Sequence, residues 1–89
     1  MREGQITIVN RLGLHARAAA KFVNLAKTFS SQVELTRDAE RVDGKSIMSV
    51  MLLAAPIGTE LILHVAGPDE EEAFEALEEL VADRFGEGE

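Results

Sequence analysis

The sequence predicts an α+β fold: a two-layer open-faced sandwich in which three helices cover one face of a four-stranded antiparallel sheet. Three observations lead there. Apolar and polar residues alternate in QITIV, QVELT and ELILHV, the two-residue period of half-buried strands. In two longer stretches apolar residues recur at i, i+3, i+4 and i+7, the period of helices with one buried face. The segments run strand, helix, strand, strand, helix, strand, helix without linker or repeat, so one domain over residues 1–89 is expected, each element giving its single apolar face to one core.

Gln5 to Val9 forms the first strand, with Ile6 and Ile8 on one side of the pleat. A loop from Asn10 to Leu14 follows, in which Asn10 and Gly13 suit turn conformations. The first helix, from about residue 16 to 28, buries Ala19, Phe22, Val23 and Ala26 and turns Lys21, Asn24 and Lys27 outward. Gln32 to Thr36 is the second strand, with Val33 and Leu35 inward. A weak short strand, Glu40 to Asp43, pairs with it through the turn Arg37 to Ala39. Ser46 to Ala55, SIMSVMLLAA, is apolar nearly all round, and Met and Ala favour a short helix there. If that helix buries Ile47, Val50 and Met51, then Met48 or Leu52 faces solvent. Glu60 to Val65 is the fourth strand, Leu61, Leu63 and Val65 inward. Asp69 as N-cap, with Glu72 three positions on, marks the start of the last helix. Phe74, Leu77, Leu80 and Val81 make its buried stripe. Gly86 is the expected C-cap, and the final GEGE should fray.

Composition narrows the function. The net charge is −7, and it is uneven: residues 1–45 carry eight Lys/Arg against five Asp/Glu, while residues 46–89 carry one against eleven. Such a chain lacks the continuous cationic surface that general nucleic-acid binding needs, but its basic half can hold one phosphate or face one acidic partner. The absence of cysteine excludes disulfides, thiolate metal sites and cysteine nucleophiles, and fits a reducing compartment. The longest apolar run, Ile47 to Ile57, is too short to span a bilayer, and MREGQITIV is neither a secretory nor a transit signal. A cytoplasmic protein with no cofactor and no direct membrane insertion is expected.

The stretch GLHAR, Gly13 to Arg17, places His15 at the start of the first helix. There the backbone N–H groups of Ala16, Arg17 and Ala18 have no intrahelical acceptors and can hold an anion. Arg17, with Arg11 nearby, adds donors suited to phosphate. The positive end of the helix also favours the neutral, nucleophilic imidazole. No second histidine, carboxylate or serine lies within a few residues to serve as base or orienter, so sequence offers neither triad nor metal set. His15 can accept a group but shows no machinery of its own to activate one. DGKS at 43–46 is reminiscent of a nucleotide-binding P-loop, but that motif needs glycine at position 39, which is alanine. Ser46 reads more simply as the N-cap of the short helix. His64, on the fourth strand beside Ile62, is expected as a surface or edge residue.

GLHAR after a strand, with GKSIMSVM some thirty residues on, resembles the HPr family, the histidine phosphocarriers of the bacterial phosphotransferase system. The resemblance covers essentially the whole chain. It implies that His15 takes a phosphoryl group from phosphorylated enzyme I, charged by phosphoenolpyruvate, and passes it to a histidine of an enzyme IIA domain. Arg17 matches the arginine that neutralises that group, and Ser46 the serine modified by HPr kinase/phosphorylase in lineages that have it. Such a carrier is a phosphoryl-transfer intermediate rather than a free-standing enzyme, and meeting several partners favours a monomer. Ile47, Met48, Met51 and Leu52 are the candidate docking residues, because thioethers adapt to several surfaces. Ala18 departs from the proline many members have there, which leaves open the sugar-uptake or the nitrogen-related branch. The alternative, from a different class, is a regulatory binding protein that uses the same surface without relay chemistry.

Overall fold

The computed structural model describes residues 1–89. The elements are β1 (Arg2–Thr7), α1 (Ala16–Ala26), β2 (Gln32–Arg37), β3 (Glu40–Asp43), α2 (Ile47–Leu52), β4 (Glu60–Ala66) and α3 (Glu70–Ala82). A single turn over Arg84–Gly86 follows α3. The strands form one antiparallel sheet in the order β1-β4-β2-β3. The last strand in sequence thus lies between the first two, and the helices connecting the strands all fall on one side.

The alternation read from sequence fixes the inner face. Val33 and Leu35 of β2 and Leu61, Leu63 and Val65 of β4 are buried there. Ala18, Ala19, Phe22, Val23 and Ala26 of α1 and Ala73, Phe74, Leu77 and Val81 of α3 close over them. Leu80, expected in the α3 stripe, is only half-buried against this core. α3 lies against β1 and β4, and α1 touches both other helices. Burying an aromatic side chain such as Phe22 or Phe74 contributes about 2–3 kcal/mol, so these contacts dominate the local energetics.

The boundaries differ from expectation where tertiary contacts decide them. β1 occupies Arg2–Thr7, since β4 continues to Ala66 and pairs Val65 with Arg2, while Ile8 is held beyond the strand end by its N–H to the Thr59 carbonyl at 2.9 Å. α2 has six residues and buries only Val50; Ile47 and Met51 are exposed along with Met48 and Leu52, so the four candidate docking residues all face solvent. Leu53 and Ala55 just beyond it supply the missing core contacts. Arg37 fixes the end of α2 by donating through Nη1 to the carbonyls of Leu53 and Ala54 at 2.6 and 3.0 Å, a favourable place for a cation.

Asp69 is the N-cap of α3, as expected, and its carbonyl accepts the Ala73 N–H at 2.9 Å, but its side chain makes no capping bond. Its carboxylate turns away from the helix to accept the N–H groups of Ser30 and Ser31 and the Ser31 hydroxyl, tying the α1–β2 loop to the start of α3. Those bonds, the Ser31 hydroxyl foremost, hold the Asp69 carboxyl below its usual range. The Gly67 N–H is instead taken by the Glu70 side chain at 3.1 Å.

His64 is neither at the surface nor at an edge: β4 is a central strand, and the residue is 8 % exposed. Its ring lies on the face of the sheet away from the helices, with Nδ1 2.9 Å from Glu3 Oε2 and Nε2 2.8 Å from Thr36 Oγ1. A carboxylate from β1 and a hydroxyl from β2 satisfy both nitrogens, which offsets the cost of burying a polar ring among the strands.

Candidate functional site

The site is built where β1 hands over to α1. Asn10 is fully buried and donates through Nδ2 to the Gly13 carbonyl at 2.7 Å, which curls the loop. Gly13 sits at φ 70°, and a Cβ there would lie 2.6 Å from the Ala55 carbonyl oxygen. Only glycine fits so close an approach in that backbone region. Leu14 N–H then bonds the same carbonyl at 2.8 Å, locking the loop to the segment after α2.

That loop delivers His15 as the N-cap of α1, in extended conformation, its carbonyl accepting the Ala19 N–H at 2.8 Å. The imidazole makes no capping bond and is about one quarter exposed. Ala16 and Arg17 are exposed, whereas Ala18 is fully buried, so the amides of Ala16 and Arg17 lie on the open side of this helix start. Beside the imidazole is a cleft of about 320 Å³ lined by Arg11, Arg17, Lys21, Glu87 and Glu89. Three cations and two carboxylates line it, Arg11 paired with Glu89 and Lys21 engaged by the Phe85 carbonyl, so Arg17 is the cation there without a hydrogen-bond partner.

Glu87 is the residue that sequence reasoning missed. Instead of fraying, the end of the chain folds back over the loop. Gly86 does not cap α3: Asp83 ends the helix, and Arg84, Phe85 and Gly86 all take positive φ, at 57°, 54° and 76°. Phe85 is buried in the core, and its carbonyl accepts Lys21 Nζ at 2.7 Å. Glu87 then receives Asn10 Nδ2 on Oε1 at 2.9 Å and meets His15 Nε2 with Oε2. Glu89 completes the return, its carbonyl accepting the Arg11 N–H at 2.9 Å. Burial pushes the Glu87 carboxyl up, but the hydrogen bonds from Asn10 and His15 and the charges of His15 and Lys21 outweigh it, leaving the group below its ordinary value. The signal for this contact in sequence is weak, since 72 positions separate the two residues.

The second set of expected residues lies on α2. Ser46 is its N-cap, its hydroxyl oxygen accepting the Ser49 N–H at 3.3 Å. Lys45 reaches away from any phosphate position and donates to the Phe29 carbonyl at 2.8 Å, a further reason the DGKS stretch is no nucleotide loop. Met48 is 78 % exposed and Leu52 70 %, with Ile47 and Met51 also open. Leu12 and Ile57 on neighbouring loops are exposed as well. Apolar side chains exposed in this number on a small chain are a general feature of interaction surfaces.

Known proteins resemble this chain in sequence and in fold. A family model described as the PTS HPr component phosphorylation site matches residues 2–83. The phosphocarrier protein HPr of Cupriavidus necator is 56 % identical over 89 residues, all of both chains. The crystal structure of HPr from Thermoanaerobacter tengcongensis superposes with a TM-score of 0.94 at 47 % identity, covering 98 % of each chain. Crh, the Bacillus subtilis catabolite repression protein, solved as a dimer with a swapped domain, matches at 0.76 and 42 %, covering 94 % of this chain and 97 % of that one. These matches support a phosphocarrier role in the phosphotransferase system, and the chain belongs to the HPr family.

Proposed function

We propose that the chain accepts a phosphoryl group on His15 from phosphorylated enzyme I and hands it to an acceptor histidine of an enzyme IIA domain. The observation that carries this reading is the imidazole at the N-terminus of α1, partly open to solvent and in contact with Glu87, which also lines the cleft of Arg11, Arg17 and Lys21. A ring nitrogen attacks phosphorus, the new N–P bond forms as the donor's bond to phosphorus breaks, and the same displacement passes the group on. Charge spreads over the phosphoryl oxygens in that transition state, and Arg17 with the open amides of Ala16 and Arg17 offsets it, the buried Ala18 contributing least of the three expected amides. Arg17→Ala should slow transfer without abolishing it; an unchanged rate would remove the guanidinium from the mechanism.

Ile47, Met48, Met51 and Leu52 dock the partners beside the imidazole. Phosphorylation of Ser46 by HPr kinase/phosphorylase places negative charge at the head of that surface and weakens docking by repulsion while leaving the fold intact. The protein works in the cytoplasm, as one domain and as a monomer, so that one face serves each partner in turn; sedimentation at micromolar concentration checks this, and a dimer would overturn it.

The deciding experiment is intact-mass analysis after incubation with phosphoenolpyruvate and enzyme I of the same organism, then acid treatment, on wild type and His15→Ala. One acid-labile phosphoryl group, absent in an equally folded variant, is expected. No mass change with a verified donor would put the regulatory-binding reading in its place.

A further inference from the structure

An ionised carboxylate only accepts hydrogen bonds, so whichever imidazole nitrogen faces one carries hydrogen. In this structure that nitrogen is Nε2, facing Glu87 Oε2. The neutral ring is thereby left with its lone pair on Nδ1. The carboxylate itself is rigidly held. Its other oxygen takes Asn10 Nδ2, and Asn10 is buried and fixed by the Gly13 carbonyl. The backbone two residues earlier is pinned by the buried Phe85 ring and by Lys21 on its carbonyl. The Glu87 side chain is only 12 % exposed.

We infer that Glu87 is a positioning residue for His15: it keeps the ring hydrogen on Nε2 and presents Nδ1 as the nucleophile, a role that rests on His15 being the phosphoryl acceptor. It is the orienting group that a histidine acting as nucleophile or base generally needs at its second nitrogen, supplied here from the far end of the chain. The Nδ1 lone pair forms the bond to phosphorus while the donor's bond breaks and the donor keeps that electron pair. The hydrogen stays on Nε2, so no proton moves in the step. The ring gains a positive charge, and that charge faces the Glu87 carboxylate. On transfer the N–P bond breaks and the pair returns to Nδ1.

The test uses protein labelled with 15N in histidine, as wild type, Glu87→Ala and a chain ending at Gly86, each checked for folding by far-UV dichroism. Two readouts separate positioning from mere stability. One is the ring 15N spectrum at alkaline pH, which locates the hydrogen. The other is the phosphohistidine isomer formed with phosphoramidate, a small donor whose P–N bond breaks to release ammonia and which needs no protein partner. Wild type is expected to hold hydrogen on Nε2 and to form the Nδ1 isomer alone. Both variants should show hydrogen on either nitrogen and a second isomer on Nε2, and enzyme I should charge them about tenfold more slowly, the usual order of effect for a group that orients a histidine through its other nitrogen. The Nε2 isomer in wild type, or variants that keep the Nδ1 isomer alone, would overturn the assignment. If the ring spectra respond as expected but enzyme I and phosphoenolpyruvate load none of the three proteins, the carrier reading falls and the hold of Glu87 on the ring stands.

Discussion

Phe85 combines a backbone in the left-handed region with a side chain that is 1 % exposed. A residue other than glycine or asparagine stays there only if packing holds it, and the strain is on the order of 1–3 kcal/mol. Phe85→Ala removes the packing and keeps the strain, so a loss of about 3–5 kcal/mol is expected in urea unfolding, together with release of Lys21 from the carbonyl. A loss below about 1 kcal/mol would show that the ring is not what holds the turn. Gly13→Ala tests the other side of the site. Its Cβ would meet the Ala55 carbonyl and the Pro56 backbone at 2.6 and 2.9 Å, so lower stability and slower charging are expected together. The place of His15 was legible in sequence because its signals are local: a strand end, a turn glycine, a helix start and an arginine, all within eight residues of it. Glu87 was not, because its place depends on three successive left-handed residues, two of which have no intrinsic preference for that conformation.

At the scale of elements, α2 is a short helix fastened at both ends and open along its side. Ser46 starts it, Arg37 holds its last carbonyls, and only Val50 within it is buried. Polar substitution of Met48 and Met51 should therefore weaken partner binding, read by calorimetry, while shifting the thermal transition by no more than about 5 °C, because exposed side chains add little to stability. A large fall in that transition would mean that they are core. At the start of α3, Asp69 links two elements through a carboxyl held below its usual range. A carboxyl with a lowered folded pKa stabilises above its unfolded pKa and loses that contribution as pH falls through the folded one. Asp69→Asn should accordingly lower the melting temperature at neutral pH, with the gap to wild type closing in acid. A gap constant with pH would deny the charge a role. Period placed the longer helices and three strands, while Met and Ala favoured the short α2; what it could not show is the Asp69 side chain, since an aspartate at an N-cap looks the same in sequence whether its carboxylate caps the helix or ties down a loop.

Across the whole molecule, strand order was the part hardest to read. The sequence orders the elements, but the insertion of β4 between β1 and β2 comes from which apolar faces meet, and it is this insertion that makes His64 a central residue. The short, charged β3 closes one edge of the sheet, an arrangement that discourages pairing between molecules. The other end of the chain tells a different story about length. The last residues of a domain usually tolerate insertions and deletions, because nothing depends on their register. Here the distance along the chain from Val81 in the core to Glu87 at the imidazole is set by a fixed series of backbone conformations. One residue added or removed would rotate the carboxylate off the ring, much as a slipped residue in a hairpin turns a side chain to the wrong face. Changing the number of residues here should therefore cost the Glu87–His15 contact even where substitution of its exposed positions does not.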